Sequence, residues 1–281
     1  KLGTAIIQIS ARTPTSAAMH ALTLDHLSKG RLILGLGVSG PQVVEGWYGR
    51  PFSKPLARTR EYISIIRQVM AREGPVMNSG PHYPIPYPAD APGSWGLGKA
   101  LKPITHPLRS NVPIFLGAEG PKNVALAAEV CDGWYPLFYS PFREEVYRDS
   151  IAGRPEGFEI LCPVHIHVTD DLEAGRLEVK QNIALYVGGM GSRDRNFHNK
   201  LISRMGFGDA AKRIQDLYLD RQKTAAVAAV PDDLVDEVSL VGPKEMIRQR
   251  LAAWEDSAVT GLLVWPKTTD DIATFAELVL N

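Results

Sequence analysis

An uncharged loop follows an apolar strand near the start of the chain. The strand covers residues 32–36, and no charged side chain occurs from Gly35 to Val43. Glycine lets a backbone approach a ligand closely, and α/β proteins bind ligands at the carboxyl ends of parallel strands. Uncharged hydrogen bonds and apolar surface come from Val38, Ser39, Gln42, Val43 and Trp47. This mixture suits a flat heteroaromatic ligand, and a surface loop with a packed tryptophan is an equally good interpretation.

A second loop between a predicted strand and a predicted helix could hold an anion. It reads Leu-Gly-Ala-Glu-Gly-Pro-Lys-Asn from Leu116 to Asn123, with the helix expected to begin near its proline. Free backbone N–H groups at the positive end of a helix dipole are a common phosphate site. The amides concerned are those of Gly117, Ala118, Glu119 and Gly120. A plain turn that uses glycine for its geometry is the alternative, and the acidic Glu119 argues mildly for it.

His165 and His167 alternate on one predicted strand, so their side chains face the same side. Two such histidines could bind a metal, but no third ligand has suitable spacing, and core or pocket-lining histidines are the favoured interpretation. No metal site is therefore predicted. The chain also lacks the nucleophile elbow of hydrolases, the dinucleotide fingerprint and the phosphate-binding loop that ends in Gly-Lys-Ser/Thr.

One unit recurs along the chain: an apolar strand, a short loop, and a helix that opens with proline. Ser, Thr or Gly before proline is typical of a helix start, because the N–H that proline lacks is unpaired there in any case. Strands that are apolar on both faces predict a parallel sheet covered by helices. Six strands are predicted, over residues 2–9, 32–36, 113–116, 134–137, 160–168 and 261–265.

Six strand–helix units are too few to close an eight-stranded barrel. Two further units before Lys1, about 50–60 residues, would close it, whereas a doubly wound open sheet would need none. We expect a single domain over residues 1–281 with two insertions, at about 74–111 and 184–231. Insertions of this length are usually functional or mobile, and these two are expected to wall a pocket.

The bulk composition excludes several function classes. Lys+Arg and Asp+Glu both total 31, so the net charge is zero and gives no general attraction to nucleic acid or to an anionic membrane. No apolar run approaches the roughly 20 residues that span a bilayer. Cys131 and Cys162 are the only cysteines, which indicates a reducing, cytoplasmic location rather than a disulfide framework. A small molecule is the partner that this composition leaves open.

Four sequence runs point to a known family. The most specific is Ser-Gly-Pro-Gln-Val-Val-Glu-Gly-Trp over residues 39–47; more general ones are Arg-Leu-Ile-Leu-Gly-Leu-Gly from Arg31, Pro-Ile-Phe-Leu-Gly-Ala-Glu-Gly-Pro from Pro113, and Cys-Asp-Gly-Trp from Cys131. Over essentially its whole length the chain resembles the luciferase-like flavin and deazaflavin oxidoreductases. It is most similar to the actinobacterial branch that uses coenzyme F-420, an 8-hydroxy-5-deazaflavin with a phosphate and polyglutamate tail.

The resemblance implies a luciferase-like (β/α)8 TIM barrel, here joined from its third strand onward, and a cofactor pocket. A non-prolyl cis peptide at about Ala5–Ile6 would form a bulge behind the deazaflavin ring. Val38, Ser39, Gly40 and Val43 would flank the ring and its side chain. The amides of Gly117, Ala118, Glu119 and Gly120 would hold the phosphate. Tyr135, Pro136 and Leu137 would line the same pocket.

The implied activity is hydride transfer between coenzyme F-420 and an organic substrate, in an enzyme that would be a homodimer. An FMN-dependent luciferase-like monooxygenase is the first alternative, and a protein that binds the cofactor without catalysis is the second. The family's histidine or acid on the second strand would lie upstream of Lys1, so no catalytic residue is assigned. Sugar-phosphate dehydrogenases of the family carry a glutamate where this chain reads Gly40-Pro41-Gln42, so that substrate is not expected.

Overall fold

The computed structural model describes residues 1–280, which fall into two compact units. The first unit holds residues 1–117, 125–134 and 155–158. The second holds residues 118–124 and 135–154 and the chain from residue 159 onward. The expectation of a single domain over residues 1–281 stays a prediction.

Parallel strands form the sheet of the first unit. They are β1 (Leu2–Gly3), β2 (Ile7–Gln8), β3 (Leu32–Gly37) and β4 (Ile114–Gly117). Both β1 and β2 pair with β3, and β3 pairs with β4 through the register Leu34↔Ile114 to Gly37↔Gly117. The continuous strand predicted over residues 2–9 is therefore wrong, because the ladder is interrupted where the Ala5–Ile6 peptide bond is cis.

Three helices of the first unit begin with proline, as the sequence predicts for two of them. They are α1 (Pro14–Leu27), α2 (Pro41–Gly46) and α3 (Pro55–Ala71). Thr13 caps α1 by accepting a hydrogen bond from the amide of Ser16 at 3.3 Å. The short α2 was expected to be loop, because six residues are too few for a helical period to be recognised.

The insertion at residues 74–111 is irregular throughout, apart from one antiparallel bridge between Asn78 and Ile85. Its first part is held by Glu61 of α3. One carboxylate oxygen, Oε2, accepts hydrogen bonds from Asn78 Nδ2, His82 N and Tyr83 N, each at 3.1 Å. A Cβ atom on Gly80 would lie 2.3 Å from the Glu61 carboxyl carbon, so a side chain at position 80 would displace this carboxylate.

Strand β6 (Glu159–Val168) is the centre of the second unit, with parallel partners on both sides. It pairs with β7 (Ser239–Gly242) through His165↔Ser239 and with β8 (Gly261–Pro266) through Leu161↔Gly261. The sequence missed β7, because its four residues follow a helix directly and carry no turn signal of their own. Strand β5 (Gly133–Tyr135) and helix α4 (Pro121–Val130) cross the boundary between the two sets of residues.

The rest of the second unit is mainly helical, including the insertion at 184–231. The helices are α5 (Arg148–Ile151), α6 (Leu172–Ala184), α7 (Phe197–Ile202), α8 (Gly208–Leu219), α9 (Lys223–Ala228), α10 (Asp232–Val238), α11 (Lys244–Glu255) and α12 (Thr269–Leu280). After Ser140 and Pro141 the predicted helix is reduced to α5 and a 3-10 turn over Glu144–Val146. Among residues 1–280, no helix has both the length and the apolar character needed to cross a membrane.

Candidate cofactor site

In the first unit, two glycines at neighbouring strand ends make room for Ile6. Gly37 of β3 and Gly117 of β4 are register partners. A Cβ on Gly37 would lie 2.6 Å from Ile6 Cδ1, and a Cβ on Gly117 would lie 3.4 Å from Ile6 Cγ2. The isoleucine that follows the cis peptide therefore packs on a flat surface of backbone. Of the residues assigned by resemblance, the structure brings Ile6 and Gly117 into contact in this way.

Thr4 replaces the strand ladder just before the cis peptide. Its hydroxyl donates to the carbonyl of Gly35 and accepts from the amide of the same residue, both at 2.9 Å. The side chain thereby satisfies the two backbone groups of β3 that the interruption between β1 and β2 would leave unpaired. The position of Ala5 and Ile6 is thus fixed by a side-chain contact that a period-two strand pattern does not predict.

The uncharged loop after β3 leads into α2. Ser39 has a left-handed backbone with φ 60°, and Gly40 is the N-cap that accepts a hydrogen bond from the amide of Val43 at 3.1 Å. The residues predicted to flank a ring are all half-buried: Val38, Ser39, Gly40 and Val43. Trp47 is 82% exposed, so the interpretation of this loop as a packed-tryptophan loop is wrong.

Gln8 is a polar residue of this region that sequence reasoning missed. It follows Ile7 on β2 and pairs in register with Gly37. Its Oε1 atom is buried, and no donor reaches it from any of the residues that the structure describes. Because buried polar atoms are nearly always hydrogen-bonded, an unpaired one beside a candidate site marks a group that a ligand could satisfy.

In the second unit, the turn before α4 presents two backbone donors, at Glu119 and Gly120. The amides of Glu119 and Gly120 have no hydrogen-bond acceptor within residues 1–280, and the ten-residue helix α4 starts directly after them. A Cβ atom added to Gly120 would meet nothing within 4 Å, so the space beside the turn is open. Two free N–H groups before a helix suit an anion, and the binding of a phosphate at this turn stays a prediction.

The side chain of Glu119 does not cap this turn but reaches α7. Its Oε1 lies 2.6 Å from His198 Nδ1, and the side chains are 11% and 16% exposed. The contact is close but is not aligned as a hydrogen bond, since neither Glu119 Oε2 nor His198 Nδ1 has a partner of suitable geometry among the described residues. Arg204 donates instead to the carbonyl oxygen of Glu119 at 2.7 Å.

Aromatic rings enclose His198. The ring of Tyr186 lies 4.8 Å from the imidazole and that of Phe138 lies 6.2 Å away, both edge-on. Sequence reasoning did not single out His198, because it lies in the helical insertion, far along the chain from Glu119. A histidine flanked by Phe197 and Asn199 carries no spacing signal that could have revealed this contact.

The three residues expected after β5 differ in accessibility. Tyr135 and Pro136 are buried, whereas Leu137 is half-buried. Burial, with a smaller contribution from the charge of Glu159, raises the pKa of Tyr135 to about 12, so its phenol stays neutral at neutral pH. Pro136 presents its carbonyl to the thiol of Cys162 at 3.8 Å. Leu137 is therefore the one of the three that is best placed to meet a ligand.

The two alternating histidines of β6 lie among α6, β8 and α12. His167 Nδ1 is 3.2 Å from Asp271 of α12, and the His165 ring lies edge-on to Trp265 with centroids 5.0 Å apart. Burial lowers the pKa of His165, although the charge of Glu178 opposes the shift. Within residues 1–280, no three side chains of His, Cys, Asp or Glu group as a metal site would require. The buried Nε2 atom of His165 has no hydrogen-bond partner among residues 1–280, and the core or pocket-lining interpretation of the two histidines stays a prediction.

Comparison with known proteins places this geometry in context. Residues 1–261 match the family model described as luciferase-like monooxygenase. A Mycobacterium tuberculosis protein named as a coenzyme F-420-dependent oxidoreductase is 52% identical over 288 residues, which cover 99% of this chain and 82% of that protein. A 5,10-methylenetetrahydromethanopterin reductase of Archaeoglobus fulgidus is 26% identical over 260 residues, covering 85% and 72%.

Solved structures share the fold. The F-420-dependent tetrahydromethanopterin reductase of Methanopyrus kandleri aligns with a TM-score of 0.75 and 23% identity, covering 99% of this chain and 81% of that one. An F-420-dependent secondary alcohol dehydrogenase aligns with a TM-score of 0.71 and 15% identity, covering 99% and 78%. The fold is therefore of the TIM-barrel type, and the doubly wound alternative is wrong.

Proposed function

The chain belongs to the luciferase-like family, and on that premise we propose that it is an oxidoreductase that transfers a hydride between coenzyme F-420 and a small organic substrate. The observation that carries the proposal is the turn at residues 118–120, whose free amides of Glu119 and Gly120 suit the phosphate of such a cofactor. The name of the mycobacterial relative favours the deazaflavin over FMN.

The residues that the resemblance assigns would hold the cofactor. In the first unit, the bulge at Ala5 and Ile6 and the uncharged loop would contact the ring; the loop residues are Val38, Ser39, Gly40 and Val43. In the second unit, the amides of residues 118–120 would bind the phosphate, and Leu137, together with the buried Tyr135 and Pro136, would supply apolar surface. Gly117 contributes by leaving space for Ile6.

The cofactor, when bound, supplies the hydride chemistry, and the chain's residues orient it and exclude water. The loop after β3 carries no charged side chain that would hold water beside the ring. Its half-buried valines, Val38 and Val43, disfavour water at the same place. The proposed enzyme would be a homodimer, an expectation that comes from the family resemblance. It would act in the cytoplasm, an expectation that comes from the balanced charge and the two free cysteines.

Retention of the cofactor through gel filtration tests this function. The protein is incubated separately with F-420 and with FMN, passed through a desalting column, and its absorbance is recorded. We expect F-420 to elute with the protein and FMN to be lost. A yellow protein that retains FMN, releases F-420 and consumes oxygen with a reductant would contradict the proposal and favour a monooxygenase.

A further inference from the structure

Glu119 places a negative charge beside the amides that would bind the phosphate. Its side chain is 11% exposed, and its Oε2 atom is buried without a donor from residues 1–280. Side-chain bond lengths keep a glutamate carboxylate within about 5 Å of its own backbone nitrogen. An anion bound to the Glu119 amide would therefore lie within about 8 Å of this carboxylate, whatever its rotamer.

The side chains around this carboxylate do not pair with it as aligned hydrogen-bond donors. His198 approaches one oxygen at 2.6 Å without hydrogen-bond alignment, and Arg204 binds the backbone carbonyl of Glu119 rather than the carboxylate. The charge of Glu119 also affects the pKa of Tyr147. Its pKa is raised mainly by burial and further by Glu119, while Arg204 opposes the shift, so the phenol is neutral. One carboxylate oxygen, Oε2, is thus left without a hydrogen-bond donor among residues 1–280.

We propose that Glu119 makes the phosphate site selective for a singly charged phosphodiester over a doubly charged phosphomonoester. This inference rests on the proposed function and deepens it. The phosphate of F-420 is a diester and that of FMN is a monoester, so such selectivity would favour F-420. A monoester carries about −1.5 to −2 charge at pH 7. Each added negative charge at about 8 Å from a carboxylate of low exposure weakens binding by about tenfold. An unpaired charge set against the wrong ligand is a common source of specificity.

Calorimetric titrations with F-420, FMN and riboflavin test the selectivity at pH 7.5. The variant Glu119→Gln removes the charge and keeps the shape, and Glu255→Gln, at an exposed position of α11, is the matched control. We expect Glu119→Gln to narrow the ratio of FMN to F-420 dissociation constants by about tenfold, mainly by tightening FMN. Riboflavin, which has no phosphate, should be unaffected. An unchanged ratio in Glu119→Gln would overturn the inference.

A second variant protects the test against a folding defect. Glu119→Asp keeps the charge, so it should keep the wild-type ratio, and melting temperatures check that each variant is folded. A ratio narrowed as much in Glu119→Asp as in Glu119→Gln would contradict the inference, because the charge is still present. If the wild-type protein does not bind F-420 at all, the proposed function fails; if it binds F-420 but Glu119→Gln leaves the ratio unchanged, only the selectivity role fails.

Discussion

At the scale of single residues, the candidate site depends on glycines that leave space and on a side chain that hydrogen-bonds to the backbone. Gly37 and Gly117 leave the space that Ile6 fills, and Thr4 pairs with both backbone groups of Gly35. The sequence indicated the glycines, because loops that follow strands and approach ligands favour them. It could not indicate Thr4, since nothing local distinguishes a threonine that replaces a strand ladder from one within a strand.

Thr4→Val tests the role of that hydroxyl. Valine has nearly the same shape, but it leaves the N–H and C=O of Gly35 without their partner, which should lower the free energy of unfolding by about 1–3 kcal/mol. Urea denaturation measures the loss. Thr4→Ser keeps the hydroxyl and is the control. Equal stability of the valine variant and the wild-type protein would show that the two hydrogen bonds contribute nothing.

The contact between Glu119 and His198 shows where residue-level prediction ends. The free amides of the turn were predictable, because strand, glycine and proline spacing are local signals. The histidine that reaches the glutamate comes from a different helix, α7, within an insertion whose role the sequence leaves open. Such a long-range pairing depends on packing, which a pattern of neighbouring residues does not encode.

At the scale of elements, the helix starts were predicted well and the shortest elements were not. Proline at the first helical position located the starts of α1 and α3. Helix α2 and strand β7 have six and four residues and were missed. Elements of this length are stabilised by what packs on them rather than by their own periodicity.

Glu61→Ala should loosen the start of the irregular insertion. The change removes the acceptor of the side chain of Asn78 and of the amides of His82 and Tyr83. Hydrogen exchange in residues 78–83 should therefore speed up by at least about tenfold, the equivalent of one or two lost hydrogen bonds. The exposed Glu73→Ala is the control. Unchanged exchange in this segment would mean that another contact holds it.

Asp271 is predicted to make stability depend on acid pH. Burial raises its pKa, but hydrogen bonds from Val168, Thr268 and His167 outweigh burial and hold the pKa below its usual value. A depressed carboxylate pKa contributes stability above the unfolded-state value, near 3.9, and loses it as pH falls through the folded-state value. Asp271→Asn should therefore cost about 1–3 kcal/mol at pH 7 and less at pH 3, measured by urea denaturation. An equal difference at both pH values would exclude this linkage.

At the scale of the whole molecule, the family and the type of fold were predictable from the sequence. The repeated strand, loop and proline-initiated helix indicated a parallel sheet covered by helices, and the run at residues 39–47 indicated the family. The division of residues 1–280 into two compact units was not predicted, because it follows from contacts between distant segments. The sequence does not identify the substrate, because the two insertions that would line its pocket carry no recognisable motif.

The central claim is that F-420 binds to this chain and that its phosphate accepts hydrogen bonds from the amides of Glu119 and Gly120. Hydrogen exchange with and without saturating F-420 tests it most directly. We predict that exchange slows at residues 5–8 and 38–43 and at the amides of Glu119 and Gly120, which have no acceptor in the structure. Tight binding of F-420 with no slowing at Glu119 and Gly120 would contradict the account.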